Sequence, residues 1–148
     1  GDNLQHSTAY NGIVTETHLF HKKGFTDSKI MELVLKPIIA LPQAYTRCSM
    51  IALNNQAFIT SDKGIEARLS DSGFDCLCVN PENIILPPYK HGFIGGCLGI
   101  ETQTIFINGN INTLMDALKI RDFLHKHSFE AEMLHNGYLF DGGGILFI

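Results

Sequence analysis

The chain has 148 residues, 45% of them apolar and 18% charged, which is enough for one compact domain with a core and too little for two. A net charge of -4, with no run of Lys and Arg, excludes the electrostatic footprint that nucleic acid or an anionic membrane surface requires. Uncharged stretches such as 48–61 and 92–100 are broken by Asn, Gln, Thr or Gly, and none approaches the ~18–20 apolar residues of a membrane helix, so a soluble protein is expected.

The chain starts at Gly1 and continues through polar residues to Thr8, without the basic start and apolar middle of a signal peptide. In chain order, Thr17 to Phe20 reads as a strand. Asp27 to Leu35 reads as a helix with Ile30, Met31 and Val34 inward, and Ile38 to Leu41 as a second strand. From Cys48 the chain alternates to Leu53, turns at Asn54-Asn55 and runs apolar again through Ala57 to Thr60, the signature of a hairpin. Ser61 or Asp62 caps a helix that turns Ile65 and Leu69 to one side and stops at Gly73. Asp75 to Val79 then resumes as a half-buried strand with Cys76 and Cys78 on one face. Reduced thiols in a strand fit a cytoplasmic location better than a disulfide framework does.

The same order returns about 50 residues later. Gly92 to Ile100 and Gln103 to Ile107 read as strands, and Asn108-Gly109-Asn110 as a turn. Thr113 caps a helix with Leu114, Ala117, Leu118 and Leu124 on one side, and Phe129 to Leu134 closes the unit. The chain is thus read as one α/β (α+β) domain, 1–148, of about three β-β-α-β units: a partial one over about 10–46, then 47–90, then 91–148, the last extended by Tyr138 to Ile148. Such a unit cannot bury its sheet face alone, so a period of this length argues for a radial or stacked array. The competing arrangement is an ordinary α/β sandwich that happens to alternate this way.

Four stretches carry a family resemblance: Gln43-Ala-Tyr-Thr-Arg-Cys-Ser49, Phe58-Ile-Thr-Ser-Asp-Lys-Gly-Ile65, Gly92-Phe-Ile-Gly-Gly-Cys-Leu-Gly99 and the ending Leu139-Phe-Asp-Gly-Gly-Gly-Ile-Leu-Phe-Ile148. From about Tyr10 onward the chain resembles a bacterial family of unassigned function with the guanidino-group-modifying-enzyme fold, also called the pentein or amidinotransferase-like fold. That resemblance implies a propeller of β-β-α-β units, shared with arginine and agmatine deiminases, dimethylarginine hydrolases and amidinotransferases. It also implies, for active members, a Cys nucleophile near the C-terminus, a His-x-Asp motif and carboxylates that grip a guanidinium. This chain ends without a Cys, and none of its His residues precedes an Asp at that spacing. Three units where the fold has five imply either that an N-terminal portion has been lost or that another chain completes the array, a second copy being one route to a homo-oligomer.

The candidate chemistry centres on Cys97. It follows Gly95 and Gly96, which let a ligand approach the backbone, with His91 upstream and Glu101 downstream. As a catalytic pair, Cys97 would attack a guanidine or amidine carbon and His91 would move protons; the alternatives for Cys97 are a pocket-lining thiol or a core side chain. Cys48 reads as its equivalent in the preceding unit. Asp141 and Glu101 are candidate carboxylates for a cation, Asp141 being otherwise a turn residue that bonds its own backbone. Asp62 either caps its helix or faces a ligand, and Tyr45 and Arg47 could stack on and orient a planar or anionic one. Phe93, Gly95 and Gly96 complete the candidate ligand-binding set. Gly142-Gly143-Gly144 lacks the strand, helix and spacing of a dinucleotide site and reads as a close-packed terminal strand beside the channel. His18 and His21, or His125 and His127, are spaced toward different faces, so no metal and no cofactor is expected. The function expected is binding of a small polar or guanidino-type ligand in a central cleft. A Cys-dependent hydrolase or transferase and a structural oligomer-forming domain are the alternatives.

Overall fold

In the computed structural model, which describes residues 8–148, the strands fall into three separate three-stranded sheets of identical build. The first contains β1 (Ile13–Val14), β2 (Leu19–His21) and β3 (Ile38–Ala40), with helix α1 (Ser28–Leu33) between β2 and β3. The second follows a short helix α2 (Thr46–Ser49) and contains β4 (Met50–Ala52), β5 (Ala57–Thr60) and β6 (Asp75–Cys78), with α3 (Lys63–Asp71) before β6. The third follows a 3-10 turn at Ile94–Cys97 and contains β7 (Leu98–Glu101), β8 (Thr104–Ile107) and β9 (Glu130–Met133), with α4 (Ala117–Lys126) before β9. In each sheet the first two strands pair antiparallel and the third runs parallel to the second, the pairing a helical crossover permits. This is the β-β-α-β order expected from the sequence, and β1 gives the first sheet an opening strand that the hydropathy pattern does not reveal.

Several boundaries move for local reasons. Cys48 lies in α2 and not on a strand, because the chain turns helically from Thr46 before it extends at Met50. The strand expected from Gly92 starts only at Leu98, since Ile94–Cys97 coils around the Gly95-Gly96 pair. Helix α1 is capped by Asp27, whose Oδ1 accepts from Lys29 N at 2.8 Å, yet it buries none of its residues. It ends before Lys36-Pro37, too short for a full apolar stripe, and Met31 stays half-exposed. The last helix starts at Ala117 and not at Thr113, which rephases it: Ile120, Phe123 and Leu124 point inward and Leu118 faces solvent. Helix α3 follows expectation, with Asp62 as its cap, Ile65 and Leu69 buried, and Gly73 in the left-handed conformation that ends it.

The core has two lobes. One packs Phe20, Phe58 and Phe74 with Met50, Ile65 and Leu69 between the first and second units, the three rings meeting at centroid distances of 4.9–5.4 Å. The other runs from Ile59 and Val79 through Ile94, Leu98, Ile105 and Ile107 to Phe123 and Leu139, joining the second and third units. Asp75 adds a surface clamp, accepting from Lys126 Nζ and His127 Nε2 at 2.8 Å each. The lysine ammonium above all, with His127 beside it, holds that carboxyl below its usual range against a smaller desolvation cost.

Main-chain contacts repeat between units as well. Arg47 N, leading into the second sheet, donates to Asn11 O beside β1 at 3.0 Å. Gly95, leading into the third, sits against the carbonyls of Arg47, Cys48 and Met50. Gly144 N and Ile145 N, in the tail, donate to Gly96 O at 2.8 Å and Leu98 O at 3.0 Å. In each case the backbone just before or at the head of an opening strand is met by the segment that leads into the next sheet or, for the third sheet, by the tail.

Buried His21 gives this frame a pH dependence. Its Nε2 lies 3.0 Å from Ala44 O and can only donate there, which leaves Nδ1 to accept from Thr26 Oγ1 at 2.9 Å. Burial pushes the pKa of this neutral imidazole below its ordinary value, outweighing the backbone bonds to Ala44 and Thr8. Its contribution is therefore complete above the unfolded value, about 6.5, and is lost as pH falls through the lower folded value. Urea unfolding at pH 7.5 and 5.5 should show a larger loss of stability on acidification for the wild type than for His21→Gln.

Candidate functional site

The opening strands of all three sheets face one cleft of about 390 Å³. Its walls are Ile13 and Val14 of β1, 50–52 of β4, 98–100 of β7 and 144–146 of the tail, with Gly12, Gly95 and Arg47 between them. Aliphatic side chains and glycine backbone make most of the surface, and Arg47 is the one ionisable side chain among the described residues that line it.

Arg47 is held from two sides. Its backbone N–H lies 2.8 Å from Asn11 Oδ1 and 3.0 Å from Asn11 O. From the other side Gly95 packs so closely that a Cβ there would come within 2.3 Å of Arg47 O and 2.7 Å of Cys48 O and Met50 O. Only glycine fits this crossing of three units. Cys48 beside it is partly exposed, its Sγ 3.6 Å from Asn11 Nδ2.

A second group of sequence-selected residues meets outside the cleft wall. Asp141 is buried, its Oδ2 accepting from Phe93 N at 2.9 Å and its Oδ1 from Gly143 N at 3.3 Å. A Cβ on Gly96 would lie 1.7 Å from that Oδ1, so the glycine makes room for the carboxylate. Asp141 therefore ties the tail to the turn before β7, and backbone donors occupy both of its oxygens. A parallel bridge between Ile85 and Phe140 and the bond from Asp141 N to Ile85 O fix its height.

Cys97 sits at the end of that turn, fully buried, its thiol directed to Phe93 O at 3.4 Å. Desolvation, with the charge of Asp141 adding to it, drives its pKa far upward and keeps the thiol protonated. His91 turns Nδ1 to Gly92 O at 2.9 Å and stacks edge-on to Phe93 at 6.2 Å. The register also corrects the pairing of the cysteines. Met50 opens the second sheet opposite Thr60 and Leu98 opens the third opposite Ile107, so the residue matching Cys97 is Ser49 and not Cys48. Ser49 is fully buried as well. Native protein at pH 7.5 should leave Cys97 unmodified by iodoacetamide, with alkylation appearing in urea; peptide mass spectrometry reads the site, and native labelling of Cys97 would contradict its protonated, buried state.

The remaining selected residues lie apart. Asp62 accepts from Gly64 N at 2.8 Å and Ile65 N at 3.0 Å as the cap of α3. Glu101 is exposed at the far end of β7, opposite Thr104. Tyr45 is partly exposed at the start of α2. Cys76 and Cys78 are partly buried on β6, and desolvation pushes the Cys76 thiol up to about 12. Among the described residues no group of three His, Cys, Asp or Glu side chains could hold a metal ion, and no helix is long and apolar enough to cross a membrane. Sequence reasoning missed Asn11, Gly12 and Gly99; the signal available was the recurrence of small residues before or within each opening strand.

Two solved structures share this architecture. C. jejuni agmatine deiminase superposes with a TM-score of 0.63 at 12% identity, over 87% of this chain and 52% of that one. A cysteine-to-serine form of C. jejuni agmatine deiminase with substrate bound gives a TM-score of 0.60 at 12% identity and the same coverage. This chain spans about half the length of those proteins. At that identity the likeness concerns the fold, which is mixed α/β and pentein-like. Among curated proteins none matches the sequence. A family profile matches residues 1–146, and the chain belongs to that family, the family of unknown function DUF6873.

Proposed function

We propose that the protein binds a small polar molecule in the cleft between its opening strands, and that it does not transform that molecule through a cysteine thiolate. The observation that carries this reading is the convergence of β1, β4, β7 and the tail on one concavity of about 390 Å³, within the ~300–1,000 Å³ range of small-molecule sites. Neighbouring backbone packs closely against Gly95 and Gly99 there, and neither Cys97 nor His91 lines the wall. Repetition of the same edge contact from unit to unit supports a radial, pentein-like array with this cleft near its axis.

A fragment screen followed by amide NMR tests the reading. A binding fragment should shift Gly95, Gly99 and Gly144 together, and Cys97→Ser should bind it with unchanged affinity. Shifts confined to other surfaces, or binding abolished by Cys97→Ser while the fold persists, would overturn it.

A further inference from the structure

Resting on that cleft reading, we infer that the ligand is a small carboxylate with an aliphatic body, gripped by Arg47. The guanidinium forms no salt bridge with any described carboxylate, although the chain carries more acidic than basic residues. Its backbone, by contrast, is seated from both sides by Asn11 and Gly95. An exposed cation whose backbone is anchored at the meeting point of three units, beside a concavity without an acidic side chain among its described lining residues, is complementary to an anion. The same lining argues against a guanidinium or ammonium ligand, which would meet Arg47 as a like charge and find no carboxylate to pair with.

The walls decide the rest of the ligand. Ile13, Val14, Ile145 and Leu146 present apolar surface, which suits a hydrocarbon chain and offers nothing to a second charge. One planar guanidinium matches one planar carboxylate with two parallel N–H···O bonds, whereas a phosphate dianion would keep a charge unpaired.

Hexanoate, hexan-1-ol and hexylguanidinium share one chain length and differ in head group, and titration of each against the whole protein by amide NMR separates the possibilities. Hexanoate should shift the Gly95 and Gly144 amides and bind at least tenfold more tightly than either of the others. Arg47→Gln should weaken hexanoate about tenfold, Arg47→Lys less, and neither should alter hexan-1-ol binding. Equal binding of hexan-1-ol and hexanoate, or hexanoate binding indifferent to Arg47→Gln, would overturn the carboxylate assignment and leave the cleft reading standing. If none of the three perturbs the cleft amides, while fragments bind there, the aliphatic-carboxylate assignment fails alone; if nothing binds there, both fall.

Discussion

Gly95→Ala should destabilise the protein by about 3 kcal/mol or more, because its Cβ would collide with three main-chain carbonyls. Rotating a side chain aside cannot relieve that clash: the atoms at 2.3–2.7 Å belong to the backbone of Arg47, Cys48 and Met50, in α2 and β4. The second and third units would have to separate, loosening the lobe that contains Ile94, Leu98 and Ile59. Gly143→Ala is the matched comparison. That residue has φ +94° and nothing within 4 Å of the point a Cβ would occupy, so the cost is conformational only, about 1–2 kcal/mol. Urea denaturation of the two variants should rank them in that order, and a Gly95→Ala protein as stable as Gly143→Ala would contradict the close crossing of units.

The second large effect concerns Asp141. Asp141→Ala strips the acceptor from Phe93 N and Gly143 N and should cost about 2–4 kcal/mol, as expected when donors lose a charged partner in a buried setting. Asp141→Asn keeps one acceptor oxygen and should cost less. Gly96→Ala should be severe by itself, since the new methyl would fall 1.7 Å from Asp141 Oδ1 and 2.4 Å from its Cγ. Removing the carboxylate removes that obstacle. The double variant Gly96→Ala, Asp141→Ala should thus lose less than the sum of the single losses, by about 1–3 kcal/mol in a double-mutant cycle. Additive losses would show that the two sites do not touch.

The order of elements was legible in the residues because alternation and capping are local. Asn54-Asn55, Asp62, Ile65, Leu69 and Gly73 each do in the structure what their spacing implies. Helix α1 was only half legible: Asp27 announces its start, but an apolar periodicity cannot say whether a sheet lies beneath it, and here Met31 and Leu33 stay outside. Gly95 and Gly96 stood out as small residues, yet their purpose is a crossing with Arg47 and Asp141, distant in sequence, which no local pattern encodes. For Asp141 the turn interpretation lies nearer the structure than a carboxylate held free for a cation, though its acceptor bonds also reach back to Phe93. Arg47 is a candidate for orienting an anionic ligand from the sequence alone; that its guanidinium pairs with no described carboxylate is a property of the assembled surface.

The tail that crosses β7 has one more effect. In the third sheet β7 is a border strand, and Gly96 O and Leu98 O on its free flank accept from Gly142, Gly144 and Ile145 N–H groups. An uncovered row of carbonyls of that kind invites a stranger's strand to add on and seed aggregates. Residues 142–145 occupy Gly96 O before the strand and Leu98 O at its head with glycine-rich chain of the protein's own, so that end of the β7 edge is closed to an added strand.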